Sequence, residues 1–279
     1  MPGWRASQQR RDAMGILDQF NLSGQCAIIT GAGTGLGREM ALSLADAGCD
    51  IVGVGRRPGP IEEVGEIIKG KGRRYLGITG CDVTISAQVN DMVKQATSTM
   101  GRVTVLINNA GLGGSGRGKT LPELTDDDWL SGIDSNLNTA FYCTRAIVPH
   151  MLEQGGGRII NVTSGWGFRA GRNNWMYPIA KGGVIQLTKA IAMTYARDNI
   201  RASCIAPGLF PKTEDAAVLT EMGPKQVAGR IGFPREMGPL AVFLSSPASD
   251  YLSGATVLMD GGAIAAGLLP AGVIPHAEG

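Results

Sequence analysis

Histidine is nearly absent: only His150 and His276 occur in 279 residues. Neither stands in a Cys/His cluster, so a zinc centre has no ligand set, and hydrolysis through a Ser or Cys nucleophile has almost no candidate base. Cysteine is sparse and scattered. Cys26, Cys49, Cys81, Cys143 and Cys204 form no C-x-x-C pair, and four of them sit inside apolar stretches as small core residues do, a usage that suits a reducing cytoplasm. Charge of one sign is lacking too. Twenty-six basic residues against 24 acidic ones leave +2, dispersed along the chain, so no field gathers nucleic acid or anionic lipid. No apolar run approaches the roughly 18 residues of a membrane-spanning helix. The polar, Arg/Gln-rich start has no apolar signal-peptide segment, and Met14 is an alternative first residue. The chain therefore reads as cytoplasmic, without nucleic-acid, membrane or metal partners.

What is abundant is glycine, at 42 residues, without a three-residue period and within a chain that is 43% hydrophobic. Collagen and disorder are excluded, and many tight turns and close backbone approaches are implied. From Gln25 onward, short β-branched runs alternate with segments of helical period. The predicted strands are 26–30, 51–54, 74–78, 103–108, 158–162, 201–205 and 256–259. They are apolar throughout rather than alternating, as strands covered on both faces are. Leu36, Met40 and Leu44 repeat at helical spacing, as do Val89, Met92 and Val93, and 126–151 is long enough for a helix of several turns. The fold class is α/β, a doubly wound seven-stranded parallel sheet with helices on both faces, in a single domain. An N-terminal extension covers 1–19 and the catalytic domain 20–262. Within it, 209–234 carries Pro211, Pro224 and Pro234 with weak periodicity and reads as an irregular lid. An apolar tail, 263–279, contains Leu268, Leu269, Val273 and Ile274, which need cover from a neighbouring subunit.

The sequence Thr30-Gly31-Ala32-Gly33-Thr34-Gly35-Leu36-Gly37 follows the first strand and opens the first helix. Glycines there let backbone N–H groups and the helix N-terminus face a pyrophosphate, while Gly37 permits close helix-to-strand packing. In that setting the turn points to a dinucleotide. Its spacing departs from G-x-G-x-x-G and resembles the T-G-x-x-x-G-x-G of the short-chain dehydrogenase/reductase family. Other landmarks of that family follow in order. Asn108-Asn109-Ala110-Gly111 ends the fourth strand, Asn136 lies in the next helix and Ser164 follows the fifth strand. Tyr177-Pro178-Ile179-Ala180-Lys181 begins thirteen residues after the serine, and Pro207-Gly208 closes the sixth strand. Y-x-x-x-K alone carries little; the ordered set makes the chain resemble the classical branch of the family over 22–262, which implies a Rossmann-like fold.

The resemblance implies four catalytic residues, Asn136, Ser164, Tyr177 and Lys181. Residues four apart share a helical face, so the Lys181 ammonium can sit beside the Tyr177 hydroxyl and draw its pKa down toward working pH, making Tyr177 the acid/base. Ser164 would hold the substrate oxygen, and Asn136 a water contacting Lys181. The cofactor-binding set is Gly31, Gly33, Thr34, Gly35, Leu36, Gly37, Arg56, Arg57, Asp82, Val83, Asn109, Ala110, Gly111, Tyr177, Lys181, Pro207, Gly208 and Phe210. The second strand ends Val54-Gly55-Arg56-Arg57, with Gly55 where NAD-using relatives commonly place Asp. A carboxylate there would accept from the ribose 2′-OH, whereas cations suit a 2′-phosphate, so NADP is preferred with NAD possible. Asp82-Val83 resembles the pair that brackets the adenine. Thr213 stands one position late after Pro207-Gly208 and Pro211 is inserted, a departure from the family's threonine contact that leaves Phe210 as the residue expected to supply backbone bonds.

Trp166, Phe168 and Trp175 concentrate between the serine and tyrosine of a chain that is only 5% aromatic, and are the candidate substrate residues, suited to an apolar or aromatic ketone or to a stacked sugar. Residues 40–53 resemble sugar-acid dehydrogenases of the family that oxidise gluconate or 2-deoxygluconate, a likeness confined to the cofactor half. The expected activity is NADP-linked interconversion of a small-molecule ketone and a secondary alcohol. A gluconate-type dehydrogenase and a 3-oxoacyl carrier-protein reductase are the enzymatic alternatives, and a non-catalytic NADP-binding sensor or scaffold the alternative of another class. The expected assembly is a homotetramer.

Overall fold

Strand β1 (Cys26–Thr30) is buried at every position, so both of its faces demand apolar side chains and helices must cover both. The computed structural model describes residues 15–111, 116–211 and 220–266. Around β1 lie β2 (Asp50–Gly55), β3 (Tyr75–Thr79), β4 (Val105–Asn108), β5 (Gly157–Val162), β6 (Ile200–Pro207) and β7 (Thr256–Met259). All pairings are parallel, in the order β3-β2-β1-β4-β5-β6-β7. The single doubly wound sheet read from the sequence is the observed one. Several strands differ by a residue or two at their ends. Strand β6 runs on to Pro207, which pairs with Met259. Proline is tolerated there because the bond to the Met259 carbonyl comes from the next N–H, that of Gly208, at 2.9 Å, and the pairing with β5 has ended at Ile205.

The helices are α1 (Gly35–Asp46), α2 (Pro58–Gly70), α3 (Ser86–Met100), α4 (Asp126–Ile133), α5 (Thr139–Glu153), α6 (Met176–Tyr195) and α7 (Met237–Ser245). Successive strand side chains point to opposite faces, and Ile28 and Ile29 accordingly enter different cores. Ile28 and Leu106 pack with Val89 and Met92 of α3, Cys143 and Ile147 of α5 and Ile191 of α6. Ile29 and Ile107 pack with Met40 and Leu44 of α1, Ile61 and Val64 of α2 and Met237 and Leu244 of α7. All five cysteines are free and buried.

The helix expected over 126–151 is interrupted. Between α4 and α5 the chain makes a π-helical turn, Asp134–Asn138, that buries Ser135 and Asn136. Within 209–234, residues 223–233 run in turns and bends without regular structure, while Lys212 and Thr213 lie outside the described residues. Of the extension, Leu17–Phe20 forms a short 3-10 turn and the Phe20 ring lies 6.1 Å from that of Phe243. Leu268, Leu269, Val273, Ile274 and His276 are outside the described residues.

Close packing between α2 and the sheet is organised by one side chain. The Tyr75 ring fills the space left by Gly53, Gly65 and Gly77, and its hydroxyl donates to the Ile61 carbonyl at 2.7 Å. Burial pushes this phenol up to about 12. A Cβ at Gly65 would stand 2.5 Å from the Tyr75 ring. Glycine-to-alanine in a helix normally stabilises by about 1 kcal/mol; Gly65→Ala is expected instead to destabilise by about 1–3 kcal/mol through overpacking. Urea unfolding with an unchanged m-value checks the sign.

A second prediction concerns pH. His150 Nε2 accepts the Val103 N–H at 3.2 Å, which requires neutral imidazole. Burial lowers its pKa from 6.5, opposed by Glu153. The unfolded chain therefore takes up the proton first, so stability is full above 6.5 and declines as pH falls through the lower native value. His150→Gln, which keeps an acceptor and does not titrate, should flatten that part of the stability–pH curve; an unchanged slope would assign it elsewhere.

Candidate active site

In open parallel sheets a crevice forms where the strand order reverses, outside the carboxyl ends of the strands. Here that place lies between β1 and β4, and one threonine stitches it together. Thr30 Oγ1 accepts the N–H groups of Asn109 and Ala110, each at 3.0 Å, and Asn109 Nδ2 returns a bond to the Thr30 carbonyl at 3.0 Å. The crevice is a cavity of about 1070 Å³.

Its first wall is the glycine turn. Gly31 and Gly35 have φ of +67° and +55°, conformations that a side chain strains. A Cβ at Gly33 would lie 2.9 Å from Pro60, and one at Gly37 would strike the Gly31 carbonyl and stand 2.5 Å from Asn109 Nδ2. Thr34 precedes α1 without a side-chain cap among the described residues, so the first N–H groups of that helix face the cavity as an anion site. Thr34, Leu36, Arg56, Arg57, Asp82, Val83, Asn109, Ala110 and Gly111 line the same space, as do Pro207, Gly208 and Phe210, whereas Gly37 lies behind Gly31. The Thr84 backbone N–H holds the Asp82 carboxyl low, assisted by the Thr84 hydroxyl and the Arg56 charge. Cradle, cation pair and cavity size fit a dinucleotide phosphate.

The reactive end is built from β5, α6 and the π turn. Ser164 follows β5 and is buried; its Oγ accepts the Trp166 N–H at 3.2 Å. Tyr177 and Lys181 lie in the first turns of α6, with Lys181 Nζ 5.6 Å from the centroid of the Tyr177 ring. Asn136 Nδ2 donates to the Gly132 carbonyl and to Ser135 Oγ, both at 3.1 Å, while its buried Oδ1 has no protein partner among the described residues. Asn136 Oδ1 and Lys181 Nζ converge on Gly111, where a Cβ would lie 3.0 and 3.3 Å from them. The cavity therefore brings together Asn136, Ser164, Tyr177 and Lys181 with the glycine cradle.

The electrostatics differ from the expectation drawn from sequence. Burial pushes the Tyr177 phenol above 10, and a hydrogen bond with Ser164 pulls it back only in part. The reason is geometric: the Lys181 ammonium lies over the ring and donates to the Val162 carbonyl at 3.1 Å. Burial in turn lowers Lys181 to about 8.

Among the described residues, Trp166, Phe168 and Trp175 do not line this cavity. Trp166 lies under Arg169 at 5.8 Å, Phe168 is exposed, and Trp175 donates its indole N–H to the Lys119 carbonyl at 3.0 Å. The cavity also takes in Pro60, Thr84, Ser131, Ser135, Thr139 and Thr163, which sequence reasoning did not single out. Ser135 and Thr139 flank Asn136 and were findable by proximity; Pro60 and Thr163 carried no signal. Among the described residues no group of three His, Cys, Asp or Glu side chains could hold a metal, and no helix is long and apolar enough to cross a membrane.

Comparison with known proteins agrees with this geometry. A model of the short chain dehydrogenase family matches residues 25–223. The 2-dehydro-3-deoxy-D-gluconate 5-dehydrogenase of Escherichia coli (strain K12) is 37% identical over 258 residues, covering 90% of this chain and 99% of the relative. Among solved structures, a gluconate 5-dehydrogenase from Burkholderia cenocepacia J2315 in complex with NADP and tartrate is 33% identical with a TM-score of 0.81, over 90% of this chain and 99% of that one. An NADPH-dependent 3-quinuclidinone reductase from Rhodotorula rubra is 30% identical with a TM-score of 0.82, over 89% and 94%.

The cradle is testable by one methyl group. Gly37→Ala must displace Gly31 or Asn109, an overpacking of about 1–3 kcal/mol that falls on the nucleotide-binding turn. NADPH affinity, read by fluorescence titration, should fall about tenfold or more; unchanged affinity would remove the turn from the binding site.

Proposed function

This chain belongs to the short-chain dehydrogenase family, and on that premise we propose that it is an NADP-linked oxidoreductase that interconverts a ketone and a secondary alcohol, preferentially as a reductase. The observation that carries the reading is the convergence of Ser164, Tyr177, Lys181 and Asn136 on the cavity that also holds the glycine cradle.

When bound, the dinucleotide supplies the hydride at its nicotinamide. The Ser164 hydroxyl donates to the substrate oxygen and fixes it beside Tyr177. Tyr177, its pKa raised by burial, stays protonated at neutral pH and delivers its proton as the oxygen becomes alkoxide. Lys181, 5.6 Å from the ring centroid, is the cation at hand to balance the charge left on Tyr177 once its Nζ turns from the Val162 carbonyl toward the phenol oxygen. Asn136 Oδ1, a buried acceptor against the same Gly111 as Lys181 Nζ, has the chemistry needed to hold a relay water on that lysine. Arg56 and Arg57 at the rim, with Gly55 in place of an acid, support recognition of a 2′-phosphate.

A second reading, a sugar-acid dehydrogenase, is favoured by the 37% identity with the gluconate-type relative. Exposed Phe141, Leu152, Ile179, Met193 and Leu258 on α5, α6 and β7 support a homotetramer that buries these faces. The free cysteines support a cytoplasmic location. The division into an extension, 1–19, a catalytic domain, 20–262, and a tail, 263–279, that covers a neighbouring subunit belongs to the same proposal.

The test is a paired NADPH and NADH screen over apolar ketones, keto sugar acids and 3-oxoacyl thioesters. NADPH-dependent ketone reduction, lost by at least about a hundredfold in Tyr177→Phe, is the expected result. NADPH binding with no turnover in the parent protein, Tyr177→Phe behaving identically, would make this a sensor or scaffold. Reduction needs the phenol protonated and Lys181 charged, so its alkaline limb should follow the lysine, near 8. A limb at 10 or above would assign it to the phenol. Arg56→Ala with Arg57→Ala should raise the Kd for NADPH about tenfold or more and leave that for NADH nearly unchanged, as expected for losing charge-assisted bonds to a phosphate.

A further inference from the structure

An acid/base pair on a helix is only as well aimed as the helix is registered against its sheet. We propose that Thr163 is a positioning residue that, together with the Val162 carbonyl, clamps Lys181 at both ends and so sets the ammonium over Tyr177. The proposal rests on the acid/base reading above and adds the device that holds its cation.

Thr163 is itself immobile. It is buried, and its N–H is tied to the Ile205 carbonyl at 2.8 Å. Its hydroxyl donates to the Lys181 carbonyl at 2.7 Å, while the preceding residue, Val162, accepts from Lys181 Nζ at 3.1 Å. Successive residues at the end of β5 thus grip the backbone and the side-chain terminus of one lysine, and the next residue is Ser164. A carbonyl inside a helix has its acceptor duty met along the helix, so a hydroxyl reaching it from a strand serves less to form the helix than to fix where the helix lies. Close approach is built in, since a Cβ at Gly167 would stand 2.9 Å from the same Lys181 carbonyl.

The tie recurs on the same faces. Asn161, two residues before Thr163 and therefore on the same side of β5, donates through Nδ2 to Thr188 Oγ1 at 2.8 Å. Thr188 lies seven residues beyond Lys181, on the same side of α6. Asn108 of β4 then donates to Asn161 Oδ1 at 2.8 Å. Two polar ties, two helical turns apart, register α6 against β5. The one at Thr163 falls on the catalytic lysine.

Thr163→Val keeps shape and removes the donor. Expected is a fall in kcat on the order of tenfold or more, with the KM for NADPH within about twofold, as a misaimed group gives. Thr163→Ser should restore kcat. A readout without turnover is acetic-anhydride labelling of the cofactor-free protein, followed by mass spectrometry. Labelling of Lys181 relative to exposed Lys69 should rise several-fold in Thr163→Val and not in Thr163→Ser. Should valine prevent folding, Thr163→Cys, of similar volume and a weak donor, carries the same comparison. Parent-like kcat at full NADPH stoichiometry, with parent-like Lys181 labelling, would overturn the clamp. Tyr177→Phe run alongside separates the two ideas: turnover retained there sinks the acid/base reading, whereas turnover lost there and intact in Thr163→Val sinks only the clamp.

Discussion

One buried ammonium constrains this molecule more than any other group. Lys181 is 5% exposed, and an unpaired cation at such depth costs several kcal/mol unless its donors are met or it gives up its proton. Both responses are visible: Nζ donates to the Val162 carbonyl, and burial brings the amine down to about 8. The surroundings are shaped to that group. Gly111 lacks a Cβ where one would press on Nζ, Asn136 Oδ1 approaches the same point, and Tyr177 lays its ring beneath. Residues from β5, the loop after β4, the π turn and α6 meet there because each contributes a group that a buried cation can tolerate.

The sheet makes that meeting possible by tying the ends of β1 and β4 together. Thr30 joins the ends of β1 and β4 through backbone N–H groups, so the glycine turn and the end of β4 are held together. Cores on both faces leave the carboxyl ends of the strands as the open side, where helix N-termini contribute positive potential. The glycine turn and the Tyr177–Lys181 pair share one cavity because parallel strands place all their carboxyl ends at one edge.

The strands were legible because doubly covered strands are apolar throughout, and the site was legible because its glycines, serine, tyrosine and lysine sit at the carboxyl ends of those strands or in the first turns of the helix that follows. The turn at 134–138 was not, although the resemblance named Asn136. A π turn inserts one residue into the helical repeat without changing composition, and only packing reveals that it turns Asn136 inward. The aromatic residues lie off the cavity among the described residues, for a related reason. Trp166, Phe168 and Trp175 are close in sequence to Tyr177 and Lys181, but a hairpin-like bridge between Gly171 and Asn174 and the bond from Trp175 to Lys119 set them on local partners. The phenol's direction was missed because adjacency at i,i+4 fixes a shared face, not where an ammonium on four methylenes will point.

That last difference bears on direction. A phenol drawn down toward neutrality would serve equally as acid or base, whereas one pushed up by burial holds its proton at neutral pH and is ready only to give it. Oxidation would need Tyr177 to begin as phenolate, and the group best placed to stabilise that anion is an amine whose own charge fades near 8. Below that pH the phenol is protonated; above it the cation that would favour ionisation is disappearing. The enzyme cannot move the equilibrium between ketone and alcohol, but its resting protonation state decides which direction starts without a preparatory ionisation. Burial of both partners supports the proposed reduction, as do the absence of an acid at Gly55 and the arginines beside it through the cofactor they suit.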